Sequence, residues 1–130
     1  LLRDTGKYLV QHVYERASRA RCASAVIVAT DDSRICDAVR EFGGWAEMTR
    51  ADHASGTDRV AEVAARLAVD VVLNVQGDEP LIEPSALDTL ADLMAVPGTD
   101  MATLAVPITS EENYRSPNVV KVVCDDRGRA

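Results

Sequence analysis

No stretch of the sequence stays apolar for more than about five residues, the run 25–29 being among the longest, far short of the roughly 20 that span a bilayer. A membrane-spanning helix is excluded and a soluble chain is expected. The first six residues, Leu1-Leu2-Arg3-Asp4-Thr5-Gly6, lack the basic segment and apolar core of a signal peptide, so export is not expected. There is no CxxC pair: Cys22, Cys36 and Cys124 are odd in number and widely spaced, which indicates neither a disulfide framework nor a zinc knuckle and fits a reducing cytoplasm. Positive charge is in short supply, 14 Lys and Arg against 21 Asp and Glu for a net charge of −7. That balance argues against the electrostatic grip by which proteins hold nucleic acid. Small ligands are the expected partners, and an anionic one would need local basic groups, backbone amides or a divalent cation. Internal repeats and low-complexity stretches are absent too. What remains is 130 residues, 47% hydrophobic, enough for the core of one domain.

Four segments place apolar residues at helical spacing: Val10, Val13, Tyr14 and Ala17; Ile35, Ala38, Val39 and Phe42; Val60, Val63, Ala64 and Leu67; Leu87, Leu90, Ala91 and Met94. Each predicts one amphipathic helix. Between and after them, β-branched or continuous apolar runs at 25–29, 69–75, 101–106 and 119–123 predict strands. Runs apolar on both faces suit central strands covered from either side. The alternation therefore implies an α/β fold, a doubly wound, mainly parallel sheet with helices on both faces. Pro97-Gly98-Thr99 reads as a turn, and Asp125-Asp126-Arg127-Gly128 as a hairpin turn calling for a partner strand beyond Ala130. With no strand before the first helix either, the chain is expected to be a partial domain lacking both termini.

The most informative segment is Asn74-Val75-Gln76-Gly77-Asp78-Glu79-Pro80, where a predicted strand runs into a glycine, two carboxylates and a proline. Ligands of open α/β sheets sit at the carboxyl ends of strands. Gly77 would let the backbone turn and present Asp78, whose carboxylate can hold Mg²⁺ with water and phosphate completing the octahedron. The alternative is that Asp78 or Glu79 caps the helix that Pro84 opens. A second segment, Met48 to Arg59, is a polar loop before the third helix. Ser55 or Thr57 can cap that helix, free amides beside Gly56 form an anion site, and Arg50 and Arg59 add charge. The same pattern also fits a plain capping box with solvated arginines. His53 has no partner carboxylate in view and reads as a solvated loop histidine, while Asp32 or Ser33 reads as the cap of the second helix.

Taken in order along nearly the whole chain, the stretches QHVYERA (11–17), VIVATD (26–31), MTRADHASGTDR (48–59), NVQGDEP (74–80), MATLAVPI (101–108) and PNVVKVV (117–123) resemble the 3-deoxy-manno-octulosonate (KDO) cytidylyltransferases, also called CMP-KDO synthetases. The pairing of MTRADHASGTDR with NVQGDEP is specific. The resemblance implies a glycosyltransferase-A-like nucleotidyltransferase that transfers CMP from CTP to KDO for lipopolysaccharide synthesis, releasing pyrophosphate. It implies Asp78 as Mg²⁺ ligand and catalytic residue, Gln76 as a hydrogen-bond partner of the sugar acid, and Arg50, Ser55, Gly56, Thr57 and Arg59 as CTP contacts. It also implies that residues 1–130 lack the family's N-terminal phosphate loop and its C-terminal region with a second metal-binding aspartate, and that the full-length protein is a homodimer. Tyr8 stands where the family has proline. Two other readings stay open: a cytidylyltransferase for another acidic sugar, and a non-catalytic nucleotide-binding fragment.

Overall fold

The computed structural model describes residues 3, 5–126 and 128–130. Leu1, Leu2 and Asp4 of the stretch read for a leader, and Arg127 of the hairpin turn, lie outside the described residues. The elements run α1 (Leu9–Ala17), β1 (Ile27–Thr30), α2 (Ser33–Glu41), β2 (Trp45–Met48), α3 (Gly56–Ala64), α4 (Pro84–Met94) and α5 (Glu111–Arg115). β1 and β2 pair in parallel, Ile27 opposite Trp45 through Thr30 opposite Met48, with α2 as the crossover between them. The α/β class and the parallel sheet are as the sequence implies, although among the described residues the sheet has two strands.

All four predicted helices form, and their apolar stripes point inward. Cys36, Val39 and Ala46 make one core cluster, onto which Val10, Val28, Ile35 and Phe42 pack. A second cluster of Ala17, Ala20 and Leu87 gathers Ala23, Val26, Leu73, Val75 and Ile82. Strand alternation turns Val28 toward α2 and Ile27 and Ala29 to the other face. An open cavity of about 460 Å³ has Ile27 and Ala29 of β1, Val60 and Val63 of α3, and Leu73 and Val75 among its lining.

Three predicted strands are corrected by this structure. Segments 69–75, 101–106 and 119–123 carry no ladder, and their side chains are largely exposed, Met101 at 88% and Val120 at 89%. A strand owes its hydrogen bonds to a neighbour, and among the described residues no backbone bond joins these segments to β1 or β2. Two elements were not predicted: β2, which is short, and α5, which has no buried residue. α3 also starts earlier than Val60, at Gly56.

Turn chemistry is legible in detail. Gly44 follows α2 so closely that a Cβ would meet the Phe42 ring at 2.7 Å and Val39 Cγ1 at 2.8 Å, so a larger residue would have to displace Phe42 or the buried Val39 where the chain folds back into β2. The predicted turn at Pro97-Gly98-Thr99 closes with Thr99 N–H donating to Val96 O at 3.1 Å and Gly98 at φ 85°. At the C-terminal end, Gly128 N–H donates to Asp125 O at 2.9 Å and Asp125 N–H to Arg129 O at 2.8 Å, while among the described residues no strand flanks these bonds to make the expected hairpin.

Asp32 caps α2, as expected: one carboxylate oxygen accepts the Arg34 N–H at 2.8 Å, and the Arg34 guanidinium straddles both oxygens. These bonds, the side-chain pairing with Arg34 foremost, bring its pKa from 3.8 to about 2. A depressed carboxylate contributes stability above its unfolded pKa and loses it as pH falls through the folded one. Asp32→Asn is therefore expected to lower the melting temperature at pH 7 and to flatten the acid-side decline between about pH 4 and 2. Thermal melts of both forms across that interval check this; parallel declines would exclude it.

Candidate functional site

The polar loop 49–55 leaves the carboxyl end of β2 and runs into α3. Ser55 caps that helix: its hydroxyl accepts the Asp58 N–H at 3.1 Å and donates to the Asp58 carboxylate at 2.7 Å. The Ser55 cap considered from sequence is thus real, although Asp58 accepts from the Ser55 hydroxyl and not, among the described residues, from its backbone N–H as a full capping box would require. It also leaves the N–H groups of Gly56 and Thr57 without intrahelical acceptors, the arrangement that favours an anion.

Gln76 comes to this helix start. A Cβ on Gly56 would stand 3.3 Å from Gln76 Oε1, so the two segments singled out from sequence touch in space. Asn74 joins them, donating to Thr57 Oγ1 at 3.1 Å and accepting from Gln76 Nε2 at 3.0 Å. With Nε2 engaged, Gln76 is left with an acceptor oxygen beside α3, suited to a hydroxyl donor.

Residues 76–79 form a turn, Glu79 N–H donating to Gln76 O at 3.2 Å, with Gly77 and Asp78 at its centre. Gly77 is not in the left-handed region, and a Cβ there would meet nothing within 4 Å, so the turn itself does not require glycine. Asp78 is exposed, and among the described residues nothing bonds its carboxylate. The alternative that Asp78 or Glu79 caps the next helix is corrected: α4 has Glu83 at its N-cap and Pro84 in its first turn. Beyond the turn, Arg16 of α1 donates to Ile82 O at 2.6 Å and pairs with Glu83 at 2.5 Å, tethering the chain before α4.

The two arginines differ sharply. The Arg59 guanidinium is committed: it donates to Thr49 Oγ1, to Arg50 O at 3.2 Å and to Asp31 Oδ2 at 3.0 Å, with its side chain 17% exposed. Arg50 is exposed, its Nε 3.5 Å from Asp52 and 3.8 Å from Glu62. His53 is not a solvated loop histidine: Nε2 lies 2.5 Å from Glu62 Oε2 and its side chain is 7% exposed. That hydrogen bond, followed by the Arg50 N–H, holds the Glu62 carboxyl below its ordinary range.

Asn74, Glu62 and Asp31 carry contacts that the sequence reading did not assign. Asn74 had a signal, as the one polar residue interrupting Val71 to Val75; Glu62 had none, because its partner is nine residues away in a loop of undetermined path. The cysteines remain without a role. Burial, and then Asp88, pushes the Cys22 thiol up rather than toward a reactive thiolate.

Asp78 fits a hard, water-rich cation such as Mg²⁺, which takes one or two carboxylates and draws other ligands from water and phosphate. A closed structural site is a poorer description, since no group of three or more His, Cys, Asp or Glu is assembled among the described residues.

Comparison with known proteins yields a consistent set of likenesses. A family model described as cytidylyltransferase matches residues 1–130. A 3-deoxy-manno-octulosonate cytidylyltransferase of Syntrophotalea carbinolica is 54% identical over 100% of this chain and 52% of its own length. Its counterpart in Geobacter metallireducens is 57% identical over 96% of this chain and 50% of its own. The chain thus spans about half the length of these curated relatives. A solved structure of CMP:2-keto-3-deoxy-manno-octonic acid synthetase complexed with CTP superimposes with a TM-score of 0.70 at 51% identity, covering 72% of this chain and 39% of that one.

Proposed function

The chain belongs to the cytidylyltransferase family, and from that premise we propose that it is part of an enzyme that transfers CMP from CTP to KDO, giving CMP-KDO and pyrophosphate for lipopolysaccharide synthesis. The observation that carries this reading is the meeting of the α3 N-terminus with Gln76, which opens the turn that carries Asp78, unpaired among the described residues. An anion site, a neutral acceptor for a hydroxyl and a free carboxylate are the three groups such a transfer needs. The relatives that share this stretch, and the similar structure complexed with CTP, support the same substrates.

In this reading the anomeric hydroxyl oxygen of KDO forms a bond to the α-phosphorus of CTP. The bond from that phosphorus to the bridging oxygen breaks, pyrophosphate departs and the hydroxyl proton passes to solvent. Residues 55–57, with Arg50, take the nucleotide at the helix start. Gln76 accepts a hydrogen bond from the sugar, and Asn74 and Thr57 hold its carboxamide in that sense. Asp78 would hold Mg²⁺, which when bound neutralises phosphate charge. Arg59 serves the site by joining strand ends to α3. The reading carries with it a cytoplasmic, homodimeric enzyme to which the 130 residues contribute part of one nucleotidyltransferase domain.

Pyrophosphate release by the full-length protein, supplied with CTP, Mg²⁺ and either KDO or a sialic acid, tests the reading. Release with KDO and a product of the mass of CMP-KDO is expected. Silence with KDO, or faster release with the sialic acid, would overturn it.

A further inference from the structure

One carboxylate ties the polar loop to α3. Glu62 Oε2 meets His53 Nε2 at 2.5 Å and accepts the Arg50 N–H at 3.1 Å, while Oε1 accepts from Arg66. Its side chain is 17% exposed and that of His53 7%, so the cluster is sheltered although the loop around it is polar. The remaining charged groups about it are Arg50, which also faces Asp52, and Arg66, which also faces Glu47 of β2. Residues 50 and 53 are thereby fastened to the same oxygen, and the loop between them is pinned at both ends.

A loop that makes few apolar contacts samples many conformations unless polar bonds restrain it. If it contributes to a ligand site, the ordering cost falls on binding, and a latch that meets this cost beforehand raises affinity. The Arg50 side chain springs from one latched residue and the Ser55–Thr57 cap follows the other, so their placement depends on the latch. We infer that His53 and Glu62 are positioning residues for the nucleotide: they lock the 50–53 loop onto α3 and hold Arg50 and the helix cap in one arrangement before CTP arrives. This rests on the reading of the loop as a CTP site. Neither residue touches the reacting atoms.

The test uses the full-length protein, with CTP affinity measured by calorimetry in Mg²⁺, steady-state KM for CTP and for KDO, kcat and thermal melts. Glu62→Ala is expected to weaken CTP binding and raise its KM about tenfold, leaving kcat and the KM for KDO within about threefold. Glu62→Gln keeps an acceptor for the Arg50 N–H and is expected to restore at least half of that loss on a logarithmic scale. Adding His53→Ala to Glu62→Ala is expected to cost little more than Glu62→Ala alone, because both act through one bond. Should Glu62→Ala not fold, His53→Ala decides, because it removes the bond from the other side: wild-type CTP affinity in that variant overturns the inference. An equal loss for CTP and KDO overturns it as well, since that marks general loosening. A wild-type enzyme without pyrophosphate release defeats the underlying reading instead, whereas an active enzyme indifferent to Glu62→Ala defeats only the latch.

Discussion

Replacing Asp78 with alanine in the full-length enzyme is expected to lower kcat/KM about a thousandfold, the range that follows loss of a group stabilising charge in the transition state. The same change is expected to shift stability by no more than about 0.5 kcal/mol, as for surface positions that hold no structural bond. The contrast follows from geometry. Asp78 sits at the centre of the 76–79 turn, exposed, with no hydrogen bond or ion pair among the described residues, and the cap of α4 lies elsewhere. A carboxylate with no structural employment can be removed without harm to the fold, and its chemical employment then shows alone. Asp78→Asn keeps the shape and removes the charge, so it should fall nearly as far. Asp78→Glu should retain part of the activity and require more Mg²⁺. Pyrophosphate release titrated against Mg²⁺, together with melting temperatures, measures all of this. A variant lacking the carboxylate that kept more than about a tenth of wild-type activity would remove Asp78 from the metal site.

The helices were legible because their evidence is local. Val10, Val13 and Ala17, or Ala38, Val39 and Phe42, announce a buried face by spacing alone, while the starts were legible only as pairs of candidates, Asp32 or Ser33 and Ser55 or Thr57, of which the structure takes the first of each. A strand carries no such self-sufficient signal. Val69 to Val75 has the composition of a buried strand, yet Val69, Val71 and Val72 are 42 to 48% exposed and the segment lines an open cavity without pairing to β1. Composition reported what the segment could pair with, and pairing depends on what lies next to it. β2 shows the converse: Trp45-Ala46-Glu47-Met48 is too short and mixed to stand out, but Gly44 and the α2 crossover deliver it to β1 in parallel register. At the site, the residue types were readable and their partners were not. MTRADHASGTDR and NVQGDEP were recognised as separate motifs. That Asn74 and Thr57 connect them, and that His53 closes on Glu62, are facts of three-dimensional proximity.

Arg59→Ala is expected to destabilise the fold by about 2 kcal/mol, the scale of losing charge-assisted hydrogen bonds to partly exposed partners. β1 ends at Thr30 and β2 at Met48, and Arg59 holds the next residue of each, Asp31 and Thr49, while its own helix lies alongside. The backbone bond from Thr49 N–H to Thr30 O at 2.9 Å extends the ladder to the same point, so the guanidinium closes the sheet end where the loop 49–55 departs. Thr49 is 9% exposed, and without Arg59 its hydroxyl would lose a donor that water cannot readily replace. Lysine keeps the charge but not the planar fork that reaches several acceptors, so Arg59→Lys should recover less than half of the loss. CTP affinity should fall with stability, because the loop carrying Arg50 and Ser55 hangs from this bracket. Asp31→Asn separates the bracket from a direct contact. If Arg59 acts by holding the strand ends, Asp31→Asn alone weakens CTP binding, and the double variant is scarcely worse than Arg59→Ala. If Arg59 grips the nucleotide itself, Asp31→Asn leaves affinity near wild type and only the arginine variants lose it. The engagement of both ends of the guanidinium with protein acceptors predicts the first outcome, and calorimetric titration of the four forms with CTP decides between them.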